Sequence, residues 1–180
     1  MPGKFAVGFA DTPLGTIRIV ASEHGITRCE FVGGRSEITP KSETHEAQHL
    51  ERCASELYRY FRRELREFTV PIDVQGTPFQ RSVWEITASI PWGETRTYRQ
   101  IAAILGSIQR ARAVGAANAR NPVCIIIPCH RIIGSAGELT GFAGGIERKK
   151  ALLDLERTHT PQSPAASRHP LTKAESFRWK

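Results

Sequence analysis

The sequence predicts an α+β protein in two parts. A small antiparallel sheet with one helix occupies residues 1–75. A mainly helical part with a helix-turn-helix occupies 76–157, and a mobile tail is expected over 158–180. Three observations carry this reading. Apolar or β-branched runs alternate with turn chemistry between Phe5 and Phe31, a capping box at Thr77-Pro78-Phe79-Gln80 restarts the chain as helix, and Gly106-Ser107 breaks two short helical patterns. At 180 residues the chain is long enough for a small domain packed on a somewhat larger one.

FAVGFA, TIRIVA and ITRCEF, separated by DTPLG and SEHG, read as an antiparallel meander. Residues 32–45 lose periodicity and read as loop. Leu50, Cys53, Leu57, Tyr60 and Phe61 then recur at helical spacing, with Arg52, Glu56, Arg59, Arg62 and Arg63 assigned to the opposite, polar face. EFTVPIDV returns to strand character and closes the first part. In the second part, threonine at the cap, proline at the first helical position and glutamine three residues after the cap start a helix whose stripe is Phe79, Val83, Ile86 and Ile90. Thr97-Tyr98-Arg99-Gln100 repeats that grammar and opens a helix with core face Ile101, Ala102 and Leu105. After Gly106 a second helix is expected from about Gln109 to Ala119, giving the helix-turn-helix pattern. A glycine-rich loop, GSAGELTGFAGG, leads to a last helix carrying Ile146, Leu152, Leu153 and Leu155.

Charge narrows the function classes. The net charge is +7, and it is uneven: residues 1–75 hold ten Lys/Arg against eleven Asp/Glu, whereas residues 76–150 hold ten against four. Between Thr95 and Gly137 the charged side chains, His130 aside, are all arginines: Arg96, Arg99, Arg110, Arg112, Arg120 and Arg131. A one-signed stretch of this kind suits a polyanion, though a solvated basic surface has the same composition. No apolar run has the length of a membrane span, and the scattered Cys29, Cys53, Cys124 and Cys129 with no secretory signal point to a reducing, cytoplasmic setting.

The helix after the break, QRARAVGAANARN, is dominated by alanine and glycine. Reading bases in the major groove takes long polar side chains. Small residues instead allow close approach, so contact independent of sequence, in the minor groove, is the nucleic-acid reading; packing of the alanines on the preceding helix is the alternative.

Cys129 lies in Pro128-Cys129-His130-Arg131, where adjacent His and Arg favour a reactive thiolate. Sulfur and imidazole can meet only if the chain bends, and Pro128 favours a bend. Glu156 follows Leu152 and Leu153 by four and three residues, so it faces inward and needs a partner, for which His130 is the candidate. An ordinary helix-end charge is the alternative. The C-x4-C-H spacing of Cys124, Cys129 and His130 fits no standard zinc pattern, and no metal is expected; Cys29, Cys53 and Cys124 read as small buried hydrophobes.

From Gly76 to Arg157 the sequence closely resembles the O6-alkylguanine-DNA alkyltransferases, also called methylated-DNA-protein-cysteine methyltransferases, of the stand-alone bacterial type. The first part resembles their smaller domain. The resemblance rests on IPCHR at 127–131, RAVG at 112–115, GTPFQRSVWE at 76–85, IPWGETRTY at 90–98, Asn121-Pro122 and GFAGGIERKKALLDLE at 141–156. It implies a ribonuclease H-like first domain and a winged helix-turn-helix in the second. It also implies repair by direct reversal: minor-groove binding of duplex DNA independently of sequence, flipping of the modified guanine, and irreversible transfer of its O6-alkyl group to Cys129. O4 of thymine is left open as a second target. The enzyme so implied is a self-inactivating S-methyltransferase that acts once, as a monomer and without a cofactor.

By the same resemblance, His130 and Glu156 generate the thiolate through a water, Asn121 steadies the turn, and Tyr98 protonates the departing guanine and helps rotate the nucleotide. Arg112 fills the gap in the stack, and Arg110, Ala113, Gly115, Ala116, Asn118 and Arg120 line the DNA-binding helix. Backbone of Cys129, Ile132 and Ala143 recognises the base, with Phe142 and Cys124 at the pocket edge. The N-terminal zinc site of some members is not expected here, since Cys29, Cys53, His24, His45 and His49 fall in no matching pattern. Two other classes compete. A non-enzymatic alkylated-DNA-binding module would lack the nucleophilic cysteine, and an operator-reading regulator would need base-reading side chains on the second helix.

Overall fold

The computed structural model describes residues 5–34, 44–157 and 177–179, the last as backbone. The described residues form two compact units. One comprises the chain up to Gly76 with Pro122–Ile126 and the strand at 177–179; the other comprises Thr77–Asn121 and, of the described residues, 127–157.

In the first unit β1 (Phe5–Thr12), β2 (Gly15–Ser22) and β3 (Gly25–Phe31) form the expected antiparallel meander. Thr12 closes the first hairpin: its hydroxyl donates to the Gly15 carbonyl (2.7 Å) and accepts from Leu14 N–H (3.2 Å). Ile17, Ile19 and Ala21 alternate into the core from β2. α1 (His45–Phe61), capped by Thr44, lays Ala47, Leu50, Cys53, Leu57 and Tyr60 on that face. β4 (Ile72–Val74) runs parallel to β3 and is shorter than the strand expected from EFTVPIDV.

Glu56 departs from the polar face assigned to it. It is buried, and it accepts hydrogen bonds from Thr69 N–H (2.8 Å), Val70 N–H (3.0 Å), the Thr69 hydroxyl (2.6 Å) and Arg52 Nε (3.1 Å). One carboxylate thus satisfies backbone donors that lead into β4, which a helix-face count cannot foresee because the partners are local to another segment.

Two further features depart from the sequence division. Pro122–Ile126 belongs to the first unit: Cys29 N–H donates to Pro122 O (2.9 Å) and Cys124 N–H to Cys29 O (2.8 Å), a parallel bridge beside β3. Ile125 there has a positive φ of 71°, unusual for a β-branched residue. The tail expected over 158–180 lies outside the described residues except for β7 (Phe177–Trp179), which pairs in parallel with β4 rather than ending unstructured, giving the order β1-β2-β3-β4-β7. Cys29, Cys53 and Cys124 are all buried and reduced. Hydrogen bonding among the three, first with Cys124, and burial push the Cys29 thiol up, consistent with inert packing.

In the second unit α2 (Pro78–Ala88) carries the expected capping box of Thr77 with Gln80, and α3 (Tyr98–Ile104) that of Thr97 with Gln100. Trp84, fully buried on α2, donates its indole N–H to Ala117 O (2.9 Å) on α4 (Ala111–Ala119). Gly106, at φ 87°, turns the chain between α3 and a single 3-10 turn, Ile108–Arg110, that precedes α4. β5 (Arg96–Thr97) pairs in parallel with β6 (Ile132–Ile133), and α5 (Ile146–Arg157) closes the unit. Among the described residues no helix is long and apolar enough to cross a membrane.

Glu56→Ala should therefore lower stability by about 2–4 kcal/mol, since it leaves buried donors unpaired. Urea denaturation checks this, and a loss within ~0.5 kcal/mol, the size of an ordinary surface substitution, would contradict it.

Candidate active site

The run Ile127–Ile133 is where the second unit concentrates polar side chains in apolar surroundings. Pro128 (φ −79°, ψ 64°) bends the chain out of extended geometry, and Cys129–Arg131 form one 3-10 turn. The bend is the one expected of Pro128. Two amides hold it. Asn121 donates its Nδ2 to Ile127 O (2.8 Å), which gives it the place expected of a turn-steadying residue, and Asn118 donates its Nδ2 to Cys129 O (3.4 Å). Cys129 N–H closes on Ile127 O (2.8 Å) and Arg131 N–H on Pro128 O (2.9 Å).

His130 and Glu156 meet as expected. Both are fully buried, with His130 Nε2 2.9 Å from Glu156 Oε1. That contact assigns the Nε2 hydrogen to the carboxylate and leaves Nδ1 as the basic nitrogen. Burial pulls the imidazole below its ordinary value, with the bond to Glu156 opposing in part. Burial alone would raise the Glu156 carboxyl, but hydrogen bonds from His130 and Arg131 hold it far below the usual carboxylate range.

Arg131 forks onto Glu156, an acceptor that its place in PCHR does not reveal. Its Nε donates to Glu156 Oε2 (2.9 Å), its Nη2 to Oε1 (2.9 Å), and its Nη1 to the Ile90 carbonyl. Gly93 N–H, in the PWGE turn, adds a longer bond to Oε2 (3.3 Å).

Lys149, which the sequence reading passed over, is fully buried on α5. Its Nζ donates to Ile132 O and Thr140 O, each at 2.6 Å. Desolvation lowers it to about 8, with Cys129 opposing. The signal was available: Lys149 precedes Leu152 and Leu153 by the same three and four residues that placed Glu156 inward.

Tyr98 opens α3, half-buried, and donates its hydroxyl to Thr140 O (3.1 Å); burial raises its pKa and keeps the phenol protonated. A Cβ at Gly141, where φ is 59°, would come within 3.1 Å of the Tyr98 hydroxyl, so this position needs glycine for both reasons.

On α4 the residues divide. Arg112, Ala113 and Ala116 are exposed and Gly115 half-buried, with Arg110 and Arg120 exposed at its ends, so one outward face presents arginines between small residues. Asn118 is a correction to the sequence reading: it points inward, only 2 % exposed, one helical turn after buried Val114. The three backbone positions expected to contact a base also divide. Cys129 O and Ile132 O already accept from Asn118 and Lys149, and Ala143 sits in the exposed loop beside half-buried Phe142. Cys124 belongs to the first unit. Among the described residues no His, Cys, Asp or Glu group is arranged to hold a metal.

The arrangement places a buried cysteine turn in the same unit as an imidazole held neutral by burial, a carboxylate that orients it and a protonated phenol. Known proteins are similar to this chain over most of its length. Residues 78–158 match the family described as 6-O-methylguanine DNA methyltransferase, DNA binding domain, and residues 6–74 match its ribonuclease-like domain. A methylated-DNA-protein-cysteine methyltransferase of Mycolicibacterium paratuberculosis is 41 % identical over 153 residues, which cover 85 % of this chain and 93 % of the relative. The crystal structure of Mycobacterium tuberculosis O6-methylguanine methyltransferase superposes with a TM-score of 0.75 at 40 % identity, covering 89 % of this chain and 97 % of that one. A structure of the Mycobacterium tuberculosis OGT in complex with DNA gives 0.74 at 40 % identity, covering 86 % and 94 %. With both stretches matched in order and a relative 41 % identical over 85 % of its length, the chain belongs to the 6-O-methylguanine DNA methyltransferase family.

Proposed function

We propose that the protein repairs alkylated DNA by transferring the alkyl group from O6 of guanine to Cys129 Sγ, once per molecule. The observation that carries this is the Cys129 turn fixed by Asn121 and set beside the buried His130–Glu156 pair, in a chain of this family. In outline, His130 takes the thiol proton, the sulfur pair attacks the saturated carbon, an S–C bond forms and the C–O bond breaks. Guanine leaves with the electron pair and is protonated on its ring, for which Tyr98 is the donor. The sum is thiol plus O6-alkylguanine giving thioether plus guanine. No redox partner or cofactor enters the balance, and a thioether has no leaving group that the site could expel again, so turnover is single.

DNA meets the arginine-bearing face of α4, with α3 and α4 acting as the helix-turn-helix. The small exposed residues Ala113 and Ala116 and half-buried Gly115 allow the backbone to approach a minor groove, while Arg110 and Arg120 pair with phosphates. Arg112 enters the stack in place of the flipped guanine. Backbone of Ala143, Cys129 and Ile132 meets the base edge, with Phe142 beside it. Asn118 serves the pocket from within instead of touching the DNA backbone. The wing of a winged helix-turn-helix and a monomeric state belong to the same proposal.

Cys129→Ala should abolish methyl transfer from a labelled O6-methylguanine duplex while leaving affinity for that duplex within about twofold; transfer that persists would refute Cys129 as acceptor. Arg112→Ala should slow repair of duplex DNA by at least about tenfold, on the few kcal/mol that base flipping requires. Reaction with free O6-benzylguanine should be unaffected, and equal losses on both substrates would remove the flipping role.

Glu156 also sets a pH dependence. Its folded pKa is depressed below the ordinary 4.5, so its contribution to stability is complete above that pH and is lost as pH falls towards the folded value. Glu156→Gln should therefore destabilise the protein near neutral pH, with the gap to the unmodified chain narrowing below about pH 4.5 in thermal melts. A gap that stays constant down to acid unfolding would contradict the depressed value.

A further inference from the structure

Three nitrogens of Arg131 are committed to buried acceptors outside its own turn. Nε and Nη2 fork onto both oxygens of Glu156, and Nη1 is held by Ile90 O. The same Oε1 faces His130 Nε2. A buried carboxylate alone beside an imidazole draws a proton onto it, because a buried ion pair costs less than a buried lone anion. Here the guanidinium has already matched the carboxylate charge, bidentately and out of water.

The charged groups facing His130 are Glu156 and Lys149 from α5 and Arg131 from its own turn, two cations against one anion. A proton arriving on His130 from solvent would add a third cation to this cluster. A proton arriving from Cys129 would not change the cluster's net charge, because the thiolate appears as the imidazolium does.

We propose that Arg131 is a positioning residue of the alkyl-transfer site: by pairing both oxygens of Glu156 it keeps that carboxylate from drawing a solvent proton onto the buried His130, so that the imidazole accepts its proton from Cys129. This rests on Cys129 as nucleophile and His130 as its base.

The test is an NMR titration of the His130 ring, assigned by comparison with His130→Gln, in the unmodified protein and in Arg131→Met and Arg131→Lys, together with transfer rates across pH. His130 should be neutral at pH 7 in the unmodified protein and in Arg131→Lys. In Arg131→Met it should be charged at pH 7, with transfer slowed about a hundredfold, the low end of what a general base contributes, and recovering as pH rises and the ring loses its proton. Arg131→Lys should restore most of the rate. A neutral His130 in folded Arg131→Met would overturn the proposal. So would a charged His130 at pH 7 in the unmodified protein, a result available even if Arg131→Met does not fold. If the unmodified protein transfers no alkyl group to Cys129, the functional reading fails instead, and the titration still shows whether Arg131 sets the charge on His130.

Discussion

Glu156 is the point on which the second unit turns. One carboxylate at the end of α5 takes hydrogen bonds from the imidazole of His130, the guanidinium of Arg131 and the backbone of Gly93, so it ties the nucleophile turn to the last helix and to the PWGE loop. Each of these groups would be costly to bury by itself. Together they neutralise one another, and the result is a rigid polar cluster in an apolar wall, the setting in which small electrostatic differences decide which atom holds a proton. Lys149 extends the same logic through the carbonyls of Ile132 and Thr140, the second of which also receives the Tyr98 hydroxyl. His130, Glu156, Arg131 and Lys149 are thus buried together, while Tyr98 is anchored at the carbonyl of exposed Thr140.

Much of this was legible because periodicity marks burial for polar as well as apolar residues. Glu156 was placed inward by its distance from Leu152 and Leu153, and the cap grammar at Thr77 and Thr97 located α2 and α3 to the residue. The same periodicity marks Lys149, and it was passed over because a lysine in a charged helix reads as solvent-facing. Asn118 was misplaced for a related reason: in an alanine-rich helix few large residues define the buried stripe, so Val114 alone had to show that position 118 shares it. The fork of Arg131 onto Glu156 is not legible beside Cys129, because a five-donor fork is satisfied by geometry in three dimensions and its acceptor lies 25 residues away.

Non-local pairing sets the other limit. An apolar run announces a core without saying which one, and Pro122–Ile126 joins the first unit through a bridge to Cys29 that no local pattern predicts. The same holds for Phe177–Trp179, whose partner β4 is about a hundred residues earlier in the chain. Glu56 shows the effect within a helix, since its partners at Thr69 and Val70 belong to a loop that has no periodicity of its own.

The central claim is that the buried cluster exists to make Cys129 a single-use alkyl acceptor. The most direct measurement is intact-protein mass spectrometry with peptide mapping after incubation with a duplex carrying one O6-methylguanine. The account predicts one added methyl per protein, located on Cys129, with the lesion restored to guanine and no further gain in excess substrate. A protein that binds the duplex and keeps its mass, or that carries the methyl on another residue, would contradict it.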